Sequence, residues 1–202
     1  LVGNYTFFVL VHPSVPARTL QELIAYARAN PGKLNYATGN TSGIVMTGML
    51  ASQAGIELVH VPYKSEPPAI TDLVSGNIHL MISSYATVAA FMRDNRLRPL
   101  VTTLPNRSAL MPEIPTIVEA GFPKFSVSPW AGVFGPARMP RDVAERLNRE
   151  LNTLIKRNDV RESLLKQAFD PKGSSLEEFS AYVREQYDIW GKAIREAGIQ
   201  PE

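Results

Sequence analysis

Apolar and polar positions divide the first 120 residues into short apolar runs, typical of buried strands, and amphipathic stretches, typical of helices. The run Phe7 to Val11 is wholly apolar and predicts a strand buried on both faces. The sequence TLQE at 19–22 is a capping box that opens a helix, which Asn30-Pro31-Gly32 ends. The pattern predicts further strands at 34–37, 58–61, 78–82 and 100–103, and further helices at 44–54, 69–74, 86–93 and 115–120.

Strands and helices alternate throughout this part of the chain. Such alternation predicts an α/β fold with a parallel or mostly parallel sheet that helices cover on both faces. Ligands of such sheets bind at the carboxyl ends of the strands. The loops at those ends are 38–43, 62–66 and 83–87. We therefore expect three polar loops to meet at one edge of the sheet.

The pattern changes after Phe122. An extended stretch is expected at 126–134, a helix from Pro140, another over 159–168, and a long helix that the capping box SLEE at 175–178 opens and Gly198 ends. Helices dominate here and few strands are predicted. A boundary between two units is therefore expected near 122–130.

The most informative loop lies in LNYATGNTSG at 34–43, between a predicted strand and a predicted helix start. Thr41 or Ser42 can cap this helix. The first turn of a helix offers backbone N–H groups and about half a positive charge, which favours a bound anion. Taken alone, the loop also fits an ordinary capped helix start. It lacks the lysine of a phosphate-binding loop.

Composition narrows the classes of function. The chain is 45% hydrophobic and 20% charged with a formal net charge of +2, which is typical of a globular domain and not of a nucleic-acid partner. It has no cysteine, which excludes disulfides and thiolate chemistry, and no apolar run of the ~18 residues that a membrane span needs. Its first residues, LVGNYTFFVLV, resemble a strand and not a signal peptide, so we expect them to lie inside a longer protein.

Catalytic machinery is not apparent in the sequence. The three histidines, His12, His60 and His79, do not have the spacing of metal ligands, and no nucleophile elbow or phosphate-binding loop occurs. No enzyme activity, metal or cofactor is therefore predicted. Trp130 is expected to be a core residue.

Five segments in one order carry a resemblance to a known family. They are NYATGNTS at 35–42, HVPYK at 60–64, AITDLVSGNI at 69–78, the stretch from RS at 107–108 to PEIPTIVEAG at 112–121, and WGK to AGI within 190–199. The set resembles the Bug proteins, the tripartite tricarboxylate transporter family of periplasmic substrate-binding receptors.

The resemblance implies the two-lobe, type II fold of periplasmic binding proteins, here without the N-terminal part of lobe one. Residues 1–15 would be a strand and hinge from lobe one, 16–123 lobe two, and 124–202 a mostly helical return to lobe one. The hinge would lie near 12–16 and 122–130.

The resemblance also implies a function: capture of a small organic carboxylate, such as a di- or tricarboxylate or an aromatic acid, in the cleft between the lobes. Partners would be integral-membrane transporter subunits, and the location would be the periplasm. Family ligands are held by amides and hydroxyls. The matching positions are Thr38, Gly39, Asn40, Thr41, Ser42, Pro62, Tyr63, Ser84 and Tyr85.

Departures from the family pattern occur in each loop. The first loop is one residue shorter than usual, Ser65 replaces a common glycine, and Ser83-Ser84-Tyr85 lacks the acidic residue that meets a ligand ammonium in some members. The last departure argues against amino-acid ligands. Two alternatives stay open: a sensor that presents the bound carboxylate to a membrane regulator, and an enzyme on a related fold.

Overall fold

The computed structural model of the chain describes residues 1–108, 110–125 and 127–196. Its strands are β1 (Gly3–Tyr5), β2 (Phe7–Val11), β3 (Asn35–Thr38), β4 (Val59–Pro62), β5 (Leu80–Ser84), β6 (Arg98–Thr102), β7 (Trp130–Ala131) and β8 (Phe169–Pro171). Its helices are α1 (Leu20–Ala29), α2 (Thr41–Ala54), α3 (Glu66–Ser75), α4 (Tyr85–Arg93), α5 (Arg141–Lys156), α6 (Asn158–Lys166) and α7 (Leu176–Glu196).

The larger sheet has five strands in the order β4-β3-β5-β2-β6. Strand β3 pairs in parallel with β4 and β5, whereas β2 is antiparallel to both of its neighbours. Four of the five strands run in the same direction, but β2 runs the other way, so two of the four pairings are antiparallel and the sheet is mixed where a parallel or mostly parallel one was predicted. The sequence did not indicate this because an apolar run shows that a strand is buried and not which way it points.

Both faces of the central strands are covered, as predicted, whereas the edge strand β4 is largely exposed. Phe7, Val9 and Val11 pack into one apolar cluster with α1 and α2, and Phe8 and Leu10 pack into another with α3 and α4. The alternation follows from the two-residue period of a strand. The end of α7 also reaches the first cluster through Ala193.

The smaller sheet is antiparallel, with the order β7-β1-β8. Between β1 and β2 the chain passes from this sheet to the larger one at Thr6, which is 2% exposed. The Thr6 N–H donates to the Ala168 carbonyl and the Thr6 carbonyl accepts from the Tyr85 N–H, both at 2.9 Å. Thr6 is thus hydrogen-bonded to both parts of the molecule.

An aromatic cluster supports the smaller sheet. The Trp130 ring lies 5.8 Å from Phe179 and 5.5 Å from Tyr182, both edge-on, and 6.3 Å from Phe134. Such edge-to-face pairs add to the stability from buried area. Trp130 packs against these rings but is half-buried, so it is not the fully buried core residue that the sequence predicted.

Two local predictions in the second half of the chain were wrong. Residues 115–120 form turns and a bridge from Thr116 to Thr102 instead of a helix, because Thr116 pairs with the end of β6 and Gly121, at φ 92°, ends the turn. The helix expected over 159–168 ends at Lys166, because Ala168 has φ 61° and residues 169–171 pair with β1 as β8.

The capping box predicted at 175–178 is present. The Glu178 N–H donates to the Ser175 hydroxyl and the Ser175 N–H to the Glu178 carboxylate, which confirms the capping box of α7. The predicted end of that helix at Gly198 lies outside the described residues, as does Ser126, where the extended stretch was expected to begin.

Candidate functional site

The carboxyl ends of β3, β4 and β5 lead into three loops, 38–42, 62–66 and 83–87, which together we call the three-loop edge. The side chain of Asn40 in the first loop donates to Glu66 in the second at 2.7 Å, and the Ser83 hydroxyl in the third donates to Glu66 at 3.3 Å. The structure thus brings the three loops together, as the alternation of strands and helices predicted.

Gly39 allows the first two loops to touch. A Cβ atom at this position would lie 2.3 Å from the Glu66 nitrogen and 2.3 Å from the Ser65 carbonyl carbon. Both are backbone atoms that cannot swing aside. A glycine is therefore required here for close approach of two backbones.

Asn40, and not Thr41 or Ser42, is the N-cap of α2. Its Oδ1 accepts from the Gly43 N–H at 2.7 Å, and the helix begins at Thr41, three residues earlier than predicted. Thr41 and Ser42 consequently occupy the first helical turn. The amides of a first turn have no acceptor within the helix, so these two amides are the natural donors for an anion.

Thr38 is buried at the end of β3, and its hydroxyl lies 2.6 Å from Nε2 of His60. His60 is exposed as a whole, but its ring stacks on Tyr36 with 4.8 Å between centroids, and its partial burial lowers its pKa. The Thr38 hydroxyl is therefore already hydrogen-bonded, and His60 is a member of the site that sequence reasoning had assigned to ordinary structure.

Pro62 is exposed, and the Tyr63 N–H donates to the Thr38 carbonyl at 2.9 Å. The Tyr63 hydroxyl donates to Asp72 on α3 at 2.5 Å, which raises the pKa of Tyr63 to about 12. The pKa of Asp72 is lowered by the same bond and by one from Asn77. The phenol of Tyr63 is thus hydrogen-bonded to a residue of α3.

The third loop is held by hydroxyls. The Thr87 hydroxyl lies 3.0 Å from that of Ser83, which is fully buried, and 3.1 Å from that of half-buried Ser84. The Tyr85 N–H donates to Thr6 and its ring lies 6.0 Å from Phe8. Tyr85 is therefore anchored by its backbone and by packing of its ring.

Glu66 was not singled out from the sequence, although it is the only acidic residue in the three loops. It is the first residue of α3, where the helix dipole stabilises a carboxylate. Its acidity within loops that are otherwise nearly free of charge was the signal that could have identified it.

The helices α2, α3 and α4 all begin at this edge, so the positive ends of three helix dipoles point toward it.

No three His, Asp or Glu side chains in the described ranges are grouped so that they could hold a metal ion. Within those ranges, no helix is long and apolar enough to cross a membrane. A cavity of about 730 Å³ lies elsewhere, lined by Met49, Phe122 and Lys192 among others, and includes no residue of the three-loop edge.

Over residues 1–199 the chain matches the family described as "Tripartite tricarboxylate transporter family receptor". The chain belongs to this family. A relative from Pseudomonas sp., "UPF0065 protein in tcbD-tcbE intergenic region", is 39% identical over 182 residues, which cover 89% of this chain and 54% of the relative. Protein BugT of Bordetella pertussis is 26% identical over 202 residues, which cover 99% of this chain and 62% of BugT.

A solved structure of an R. palustris protein with adipate superposes with a TM-score of 0.85 at 27% identity, covering 100% of this chain and 68% of that one. The chain therefore spans between about half and two thirds of the length of these relatives. The predicted family and the predicted fold of periplasmic solute-binding receptors are both confirmed.

Proposed function

We propose that this receptor binds a small organic carboxylate at the three-loop edge and delivers it to a membrane transporter. The observation that carries the proposal is the junction of three polar loops at the carboxyl edge of the sheet, where α2 presents its first turn. Membership of a receptor family and the likeness to an adipate-bound protein support the choice of ligand class.

One ligand carboxylate would lie at the start of α2. The Thr41 and Ser42 amides and the half-buried Ser42 hydroxyl would donate to it, and the Ser84 hydroxyl would approach from the third loop. Hydrogen bonds to a charged group contribute about 1.5–3 kcal/mol each. A few such bonds hold an anion without a salt bridge.

The lobes are part of the same proposal. The two sheets would form the cores of the two lobes. Because β2 lies in the larger sheet, residues 1–5 and 124–202 would belong to lobe one and residues 7–123 to lobe two, which moves the boundary expected at 15–16 to Thr6. Thr6 and the segment near 122–130 are the passages between the sheets, so closure around a ligand would bend the chain there. The receptor would act in the periplasm, where other members of its family work.

The test is isothermal titration of the full-length protein against butanoate, succinate, hexanoate, adipate, malate and benzoate. We expect at least one acid to bind, and Ser42→Ala to weaken its binding about tenfold through loss of one charge-assisted bond. Ser52→Ala is the matched control, since Ser52 is an exposed serine near the other end of α2. Binding of none of the acids would refute the function. An unchanged affinity in Ser42→Ala would refute the site.

A further inference from the structure

Glu66 is held at the centre of the three-loop edge. One carboxylate oxygen accepts from the Asn40 amide at 2.7 Å and the other accepts from the Ser83 hydroxyl at 3.3 Å. Its backbone nitrogen lies against Gly39. The carboxylate therefore cannot leave the edge without breaking contacts with both other loops.

The charge of Glu66 is not neutralised by a basic partner. Across the described ranges its carboxylate is hydrogen-bonded to neutral donors and takes part in none of the ion pairs. Lys64 is the only basic residue in the three loops, and it is exposed. A full negative charge thus stays at an edge whose helix starts otherwise attract anions.

Asn40 transmits the position of this charge to the start of α2. Its Oδ1 accepts from Gly43 while its Nδ2 donates to Glu66, so a single amide group separates the carboxylate from the first turn of the helix. A ligand carboxylate at that turn would lie near Glu66, and the amides of the first turn would offset its repulsion from Glu66. A second carboxylate beside it would meet Glu66 without such donors, and like charges a few ångströms apart repel by an amount that changes affinity about tenfold or more.

We propose that Glu66 sets the charge specificity of the site: the edge accepts one carboxylate, disfavours a second carboxylate next to it, and favours a neighbouring group that donates a hydrogen bond. The inference rests on the proposed function. It narrows the ligand to a monocarboxylate, a hydroxy acid, or a long diacid whose second carboxylate lies beyond the reach of Glu66.

The variant Glu66→Gln tests charge without changing shape. The glutamine oxygen accepts from Asn40, and its NH₂ group donates to the Ser83 hydroxyl, which in turn donates to Thr87. Glu57→Gln is the matched control, because Glu57 is an exposed glutamate that precedes the opposite end of β4. Urea unfolding confirms that each variant is folded, and Glu66→Ser replaces Glu66→Gln if the latter is not.

Affinities of the full-length protein for four acids give the readout. The wild type is expected to prefer butanoate to succinate, and Glu66→Gln is expected to raise the ratio of succinate to butanoate affinity about tenfold. The ratio of adipate to hexanoate affinity is expected to change by less than about threefold, since the second carboxylate of adipate is remote. Glu57→Gln is expected to change neither ratio.

An equal effect of Glu66→Gln on butanoate and succinate would overturn the inference while leaving the proposed function standing, because binding itself would be intact. A wild-type preference for succinate over butanoate would overturn it as well. Failure of every acid to bind either protein would refute the proposed function and with it the inference.

Discussion

In the five-stranded sheet every residue of β2 is at most 8% exposed, whereas beside the three-stranded sheet Phe134 is 65% exposed and Val133 56%. The larger sheet has helices on both faces, and apolar residues of α5 such as Leu147 remain exposed in the other part. The three-loop edge is therefore carried by the part of the chain whose central strands are buried on both faces. A site that must hold backbone donors in place needs such support.

The largest expected difference in unfolding free energy is between alanine variants of two phenylalanines. Phe8→Ala in β2, where the ring is fully buried, is expected to lower the free energy of unfolding by about 3–5 kcal/mol, because it leaves a cavity. In the chain of residues 1–202, Phe134→Ala is expected to cost less than about 1 kcal/mol, since the ring is 65% exposed there. Urea unfolding followed by circular dichroism measures both. Equal losses would mean that the smaller sheet is as tightly packed as the larger.

A second comparison uses two glycines. Gly39→Ala is expected to cost about 1–3 kcal/mol, since its Cβ would overlap the backbone of the second loop. Gly191→Ala in α7 is expected to raise stability by about 0.5–1 kcal/mol, because its Cβ would meet only the flexible Arg195 side chain at 3.5 Å. Thermal unfolding of both variants checks the two signs. A neutral Gly39→Ala would show that the loops can separate freely.

Variants of two helix caps should distinguish an effect on stability from an effect on ligand binding. Asn40→Ala and Ser175→Ala each remove the cap of a helix and are each expected to cost about 1 kcal/mol of unfolding free energy. Only Asn40→Ala is expected to weaken binding of a carboxylate ligand in titration, because Asn40 orders the first turn of α2. An equal loss of binding in Ser175→Ala would show that the effect is global.

The smallest expected effect is a pH dependence of stability that arises from two histidines at the larger sheet. Burial lowers the pKa of His60, and burial followed by the proximity of His12 lowers the pKa of His79. The unfolded chain therefore binds protons more readily, and stability present above about pH 6.5 is lost as the pH falls below it. Urea midpoints at pH 7.0 and 5.5 should differ in this direction, and less so in the double variant His60→Gln, His79→Gln.

The range from pH 7.0 to 5.5 distinguishes the contribution of the histidines from that of the acidic groups. The pKa values of Asp72 and Glu119 are also lowered, by hydrogen bonds from Tyr63 and Thr116 first, and their contributions are lost only at lower pH. A pH dependence between 7.0 and 5.5 that the double variant retains in full would assign it to other groups.

Much of the larger sheet was predictable because local signals agree with the tertiary structure there. Strand β2 and helix α1 were predicted within a residue, since an apolar run and a capping box determine them. The turns at 115–120 and the strand β8 were missed. Each depends on a distant partner, Thr102 in one case and β1 in the other, that no local pattern reveals.

The candidate site divides in the same way. The alternation of strands and helices predicted that polar loops would meet at the carboxyl edge. The direction of each side chain decided the remaining contacts. The Tyr63 phenol is hydrogen-bonded to Asp72, and Glu66 lies between Asn40 and Ser83. Side-chain direction at a loop has no sequence period from which it could be derived.

The sequence by itself determined the α/β class, the buried central strands of the larger sheet and the set of loops at its carboxyl edge, because apolar periodicity and turn residues act over a few neighbours along the chain. The family followed from the resemblance of five segments to known receptors. Only the tertiary structure decided that β2 runs against its neighbours, that the chain passes between the sheets at Thr6, and that Glu66 is the charge around which three loops meet. These features arise from contacts between residues far apart in sequence, and such contacts are specified by packing and hydrogen bonding in three dimensions.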